Sequence, residues 1–128
     1  MDFNLSSEQK KLVASFRAFG TEVFTPDHVS QWCKDQGLPD DVMKRFVDTY
    51  YKFADKESTS AAGHSLLDQA LIIEELSRCA GATLPFQNDL FNLQIVDALS
   101  EAGNVDSAVA DYRETGRLMF ALAISEPD

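Results

Sequence analysis

Positive charge is scarce in this sequence. Eleven lysines and arginines stand against twenty-one aspartates and glutamates, a formal charge of -10. A surface that grips nucleic acid or an anionic bilayer needs a basic patch, so neither partner is expected. No apolar run approaches the roughly 20 residues that cross a bilayer, so no membrane span is expected. The opening, MDFNLSSEQKK, has no secretory h-region and starts with an acid, which argues against a signal or transit peptide. Two cysteines, Cys33 and Cys79, lack paired spacing and read as reduced thiols of an intracellular, cytoplasmic protein. Two histidines, His28 and His64, have no partner at ligand spacing, and neither HExxH nor CxxC occurs; no metal site is expected. The six glycines are isolated, with no GxGxxG and no P-loop, and no Ser–His–Asp or Cys–His set can be assembled.

What the sequence has in quantity is helical periodicity. Ser6 and Gln9 form a capping box, after which Leu12, Val13, Phe16, Phe19 and Val23 fall on one face. Pro26 marks the end of that helix. A short helix is expected from Val29 to Lys34, stopping near Gly37. PDDVMKRFVDTYYKFA, residues 39 to 54, carries the cleanest period, with Val42, Phe46, Val47, Tyr50 and Phe53 on its inner half. DKESTSAAG, residues 55 to 63, reads as a small, polar loop. Ser65 caps SLLDQALIIEELSRCAG, and Gly81 closes it. That helix and the next, PFQNDLFNLQIVDALSEAG, carry apolar residues around most of the wheel, as mostly buried helices do. Asn104 caps a last helix, Val105 to Thr115, ended by Gly116.

Leu118 to Ser125 breaks the pattern: it reads as a strand buried on both faces. A lone strand leaves backbone N–H and C=O groups without partners, and a helical bundle offers no sheet edge. The fold expected is therefore all-α. It is a compact up-and-down bundle of five main helices and one short helix over residues 1–116, with a lone C-terminal strand segment at 117–128. That segment is the truncated start of a missing β-domain. In a fragment, residues 117 to 125 are expected to be disordered, to pack against the bundle as irregular coil, or to pair with another copy in a strand-mediated dimer.

Among charged residues, Glu74 and Glu75 point about 100° apart on a helix, a poor arrangement for flanking one bond. Glu74 and Arg78 are an i, i+4 pair on the helix surface. His64, just before a helix, reads as a solvated loop residue. The phenylalanines at 16, 19, 46, 53, 86 and 91 read as core.

Three segments, in order, resemble the acyl-CoA dehydrogenase family. MDFNLSSEQKKLVASFRAF is similar to the opening helix of that family and SLLDQALIIEELSR to its central helix. GRLMFALAISEP is similar to the strand that enters its middle β-domain. The resemblance covers nearly the whole chain. It implies the N-terminal helical domain of a flavoenzyme that dehydrogenates the α,β bond of an acyl-CoA thioester. In that family three domains enclose FAD and the thioester, a carboxylate of the C-terminal domain removes the α-proton, and the flavin takes the β-hydrogen as hydride. No catalytic residue is then expected in this chain, and residues 1–128 alone are expected to be inactive and to hold no FAD. By the same resemblance Leu122, Ile124 and Ser125 meet the flavin, and Leu84, Gln87, Leu90 and Phe91 line the acyl-tail channel. The implied partners of the parent are an acyl-CoA, an electron acceptor and, as a homo-oligomer, further copies of itself. One departure from the family is plain: its usual Pro-Glu-x-x-Gly-Gly turn before the central helix is replaced by FADKESTSAAGHS. The alternative reading is a non-enzymatic helical module that binds a partner or an apolar ligand.

Overall fold

A computed structural model describes residues 4–54, 60–82, 84–99 and 106–117. Six helices are present: α1 (Ser7–Val23), α2 (Pro26–Asp35), α3 (Asp40–Lys52), α4 (Leu66–Ala80), α5 (Phe86–Leu99) and α6 (Asp106–Thr115). The capping box forms as expected, with Gln9 N donating to Ser6 Oγ at 3.1 Å and Ser6 N donating to Gln9 Oε1 at 3.0 Å. Pro26 ends one helix by starting another. It occupies the first position of α2, where its missing N–H is not needed, and Thr25 caps that helix by accepting from His28 N. The left-handed residue that closes α2 is Gln36 (φ 56°), one position before the expected Gly37. Ser65 and Gly81 cap α4 as expected.

The most extensive helix pairs are α1 with α4 and α3 with α6, with lighter contacts of α1 on α3 and α4 on α5. Chain neighbours are therefore not the main packing partners among the described residues. Two glycines permit these pairings. A Cβ on Gly20 would lie 2.8 Å from Cys79 Sγ, so α1 and α4 approach closely only because that atom is missing. Gly116, at φ 75°, would place a Cβ 2.7 Å from the backbone nitrogen of Lys44, so the end of α6 rests directly on α3.

The core is aromatic. Phe46 stacks on Phe86 with ring centroids 4.0 Å apart, Phe16 meets Phe46 at 6.0 Å, and Phe24 links Phe86 to Trp32. Each such ring, fully buried, contributes about 1.5–3 kcal/mol. Of the phenylalanines expected inside, Phe16, Phe19, Phe46 and Phe86 are buried and Phe53 is half-buried. Phe91 is 59% exposed. The reading of α5 as buried on several sides is corrected accordingly. Phe86, Leu90, Leu93 and Val96 form one inward stripe, and Phe91 and Leu99 face outward.

The all-α class holds, but the lone C-terminal strand does not belong to it. The described residues contain six helices and no β-strand. Arg117, first residue of the expected strand segment, is irregular, and its guanidinium pairs with Asp40 at the start of α3. The rest of that segment, Leu118 to Ser125, lies outside the described residues. The expected strand-mediated dimer accordingly has no strand to rest on among them.

Candidate functional site

Helical period sets a groove between α4 and α5. On α4, Leu66, Gln69, Ala70 and Ile73 recur at i, i+3, i+4 and i+7 and so share one face. On α5, Gln87, Leu90, Phe91 and Gln94 repeat the same spacing, with Asn88 beside them. The two faces enclose an open groove of about 430 Å³. Leu66 is 70% exposed and Phe91 59% exposed, so large apolar side chains stand in water at its edges. A concave, largely apolar cleft with a few polar groups is the ordinary form of a small-molecule site.

One of those polar groups has its orientation set by the bundle. Tyr50 is fully buried and its hydroxyl donates to Ala62 O at 2.6 Å. The proton is thereby spent, so the Tyr50 oxygen can only accept, and Gln69 Nε2 donates to it at 2.9 Å. The amide end of Gln69 is thus committed inward, and its carbonyl oxygen remains for the groove that Gln69 lines. Burial pushes the Tyr50 hydroxyl far above its usual range, which keeps this arrangement protonated.

Behind Tyr50 sits the loop of residues 60–64. Asp97 on α5 accepts from Ser60 Oγ at 2.6 Å, from Ala62 N at 3.1 Å and from Ala61 N. Tyr51 Oη donates to Ala61 O at 2.8 Å, and Gly63 N to Ser60 Oγ at 3.1 Å. His64, read from sequence as solvated, is half-buried: its Nε2 lies 2.9 Å from Tyr50 O and its ring 4.5 Å from the Tyr50 ring. The loop, α3, α4 and α5 are therefore joined in one hydrogen-bonded network that reaches the groove through Gln69. No local signal announces Asp97, which is 35 to 37 residues from its partners in the chain.

The carboxylates elsewhere are structural. Glu75, buried on α4, receives Arg17 of α1 and Arg78 of its own helix. Those two hydrogen-bonded cations hold its carboxyl down at about 2. The expected Glu74–Arg78 pair is thus corrected: Arg78 turns to Glu75, which lies on the α1 seam beside Arg17. Asp89, near the start of α5, accepts from Tyr112 Oη of α6 at 3.2 Å. Burial raises its carboxyl to about 6, against the opposing effect of that hydrogen bond. A second crevice, about 180 Å³, is lined by Ser6, Glu8, Gln9, Leu12, Phe53, His64 and Asp68. It holds two acids and no lysine or arginine.

Of the residues expected to touch substrate, Gln87, Leu90 and Phe91 come together on the α5 wall of the groove. Leu90 is buried beneath it, Gln87 and Phe91 are exposed. Leu84 lies alongside, in a tight crevice of about 10 Å³ that shares Ile73, Gln87 and Leu90 with the groove. The expected flavin contacts, Leu122, Ile124 and Ser125, lie outside the described residues. Sequence reasoning missed Leu66, Gln69, Ile73 and Gln94, the opposite wall and far end. Among the described residues no three His, Cys, Asp or Glu side chains gather as metal ligands would. No described helix is long and apolar enough to cross a membrane.

Comparison with known proteins gives this arrangement a context. The family profile described as acyl-CoA dehydrogenase, N-terminal domain, matches residues 6–105. The crystal structure of an acyl-CoA dehydrogenase from Slackia heliotrinireducens DSM 20476 is similar, with a TM-score of 0.77 and 42% sequence identity. The match covers 99% of this chain and 34% of that one, so the chain spans about a third of that protein's length. No curated protein matches the chain.

Proposed function

The chain belongs to the acyl-CoA dehydrogenase family by its N-terminal domain, and from that premise we propose that it supplies the helical wall of an FAD-dependent acyl-CoA dehydrogenase. Residues 1–116 form the helical domain and residues 117–128 lead toward a middle domain. The reaction is the α,β-dehydrogenation of an acyl-CoA thioester, with an electron acceptor outside the protein and, as in a homo-oligomer, further copies beside it. The chain's own contribution is to bind and orient the acyl tail and to keep water from it. The observation that supports this is the α4–α5 groove, where Gln87, Leu90 and Phe91 form one wall and Leu84 adjoins them.

The groove does not itself fit FAD. Its lining holds no lysine or arginine to meet a pyrophosphate. We assign the flavin contacts to Leu122, Ile124 and Ser125, outside the described residues. Three carboxylates set into the bundle are engaged in structural bonds: Glu75 with two arginines, Asp97 with the loop and Asp89 with Tyr112. The catalytic base is accordingly assigned to another domain of the parent, and the 128 residues alone are expected to be inactive. The unpaired thiols of Cys33 and Cys79 suit a cytoplasmic protein.

The test is to purify the whole product of the gene and follow bleaching of bound flavin on adding an acyl-CoA. Bleaching by acyl-CoA is the expected result; a colourless product, or one indifferent to every acyl-CoA, refutes the proposal. Phe91→Ala should weaken acyl-CoA binding by about tenfold, because it removes exposed ring surface that only a ligand covers, while leaving the melting temperature unchanged.

A further inference from the structure

The groove is unusually rich in carboxamides for a channel meant to hold a plain hydrocarbon. Gln69 contributes from α4, and Gln87, Asn88 and Gln94 from α5. Positions of that spacing on two facing helices are normally filled by apolar residues. A polar group buried without purpose is costly, and Gln69 is only 4% exposed. Its position is also specified: because Tyr50 Oη donates to Ala62 O, Gln69 must present its amide nitrogen to Tyr50. Gln69 lines the groove, and its carbonyl oxygen is a fixed acceptor with no hydrogen-bond partner among the described residues. It is not sealed off, since no side-chain nitrogen or oxygen among the described residues is both fully buried and unpaired. The lining holds neither an acid nor a base, so a charged ligand group would meet no counter-charge there, and a neutral donor fits the oxygen better.

We propose that the acyl group bound in the α4–α5 groove carries a hydroxyl along its tail, and that this hydroxyl donates to Gln69 Oε1. Gln87, Asn88 and Gln94 then surround the oxygen-bearing part of the tail, and Ile73, Leu90 and Phe91 its hydrocarbon part. This rests on reading the groove as the acyl site. The substrate class is a hydroxylated acyl thioester, whose hydroxyl the reaction leaves in place. A site built to hydrogen-bond a hydroxyl rejects the analogue lacking it more strongly than an apolar pocket rejects a missing methylene.

The probes are acyl-CoAs of one chain length: unsubstituted, singly hydroxylated at successive positions, and the methyl ether of the best hydroxylated probe. Affinity is measured by titration with the whole gene product. One hydroxyl position should bind at least about fivefold tighter than the unsubstituted chain, and its methyl ether, which has no proton to donate, should lose that gain. Gln69→Met should erase the preference, so that the hydroxylated chain, its ether and the unsubstituted chain bind alike. Should that variant fail to fold, the wild-type protein still decides: the Gln69 side-chain amide resonances should move with the hydroxylated probe and not with its ether. Equal binding of all probes overturns the hydroxyl and leaves the acyl groove standing. Binding of none overturns the groove reading and this inference with it.

Discussion

Removing the Asp97 carboxylate should loosen the loop at residues 60–63 and, through it, the floor of the groove. Asp97→Ala deletes the acceptor for Ser60 Oγ, Ala61 N and Ala62 N together. A hydrogen bond to a charged group contributes about 1.5–3 kcal/mol, but three on one carboxylate are not additive, and water can reach a half-buried position. A net loss of about 2–4 kcal/mol follows, or roughly 30- to 1,000-fold in the folding constant. The tyrosine bonds to Ala61 O and Ala62 O persist, so the loop is weakened rather than freed. Asp97→Asn, which keeps one acceptor oxygen, should fall between the variant and wild type. Urea titration reads the stability change, and amide exchange at Ala61 and Ala62 localises it. Exchange at these two amides should quicken beyond the change in α1, whose slowest amides report only the global loss. A stability loss below about 0.5 kcal/mol, the scale of an ordinary surface substitution, would show that the tyrosines alone hold the loop and would refute the network.

Two pH-dependent outcomes follow from the other buried carboxylates. Asp89 is raised in the folded state to about 6, above its unfolded value, so its stabilising effect is present at low pH and lost as pH rises through about 6. Asp89→Asn should therefore be more stable than wild type at about pH 8 and nearly equal to it at about pH 4, checked by urea midpoints at both values. A variant less stable at the higher pH would contradict the assigned burial. Glu75 runs the other way: held at about 2 by Arg17 and Arg78, it stabilises above its unfolded value and loses that effect as pH falls through about 2. Glu75→Gln should melt below wild type at about pH 7, with the gap closing by about pH 2; a gap of constant size would mean that packing, not charge, is lost.

The six-helix class was legible because capping and period are local. Ser6–Gln9, Ser65 and Gly81 each act within a few residues, and the structure keeps all three. Gln87, Leu90 and Phe91, named from the resemblance, fall together on the α5 wall of the groove. The α4 wall was not legible. Leu66 and Gln69 look like ordinary positions of a buried helix until α5 is set beside them. The partner of Arg78 and the setting of His64 were misjudged for the same reason: whether a side chain is paired or solvated depends on which element arrives next to it.

From the chain alone came the helices, their caps and the kinship with the acyl-CoA dehydrogenase family. Tertiary structure alone decided that α1 lies on α4 and α3 under α6, that Asp97 holds a loop some 35 residues away, and which end of the Gln69 amide faces the groove. The division has a physical basis. Helix propensity and capping are short-range and written in neighbouring residues. A hydrogen bond's direction is set by every other bond its partner makes, so the choice at Gln69 waits on Tyr50, and Tyr50 on a carbonyl in another segment.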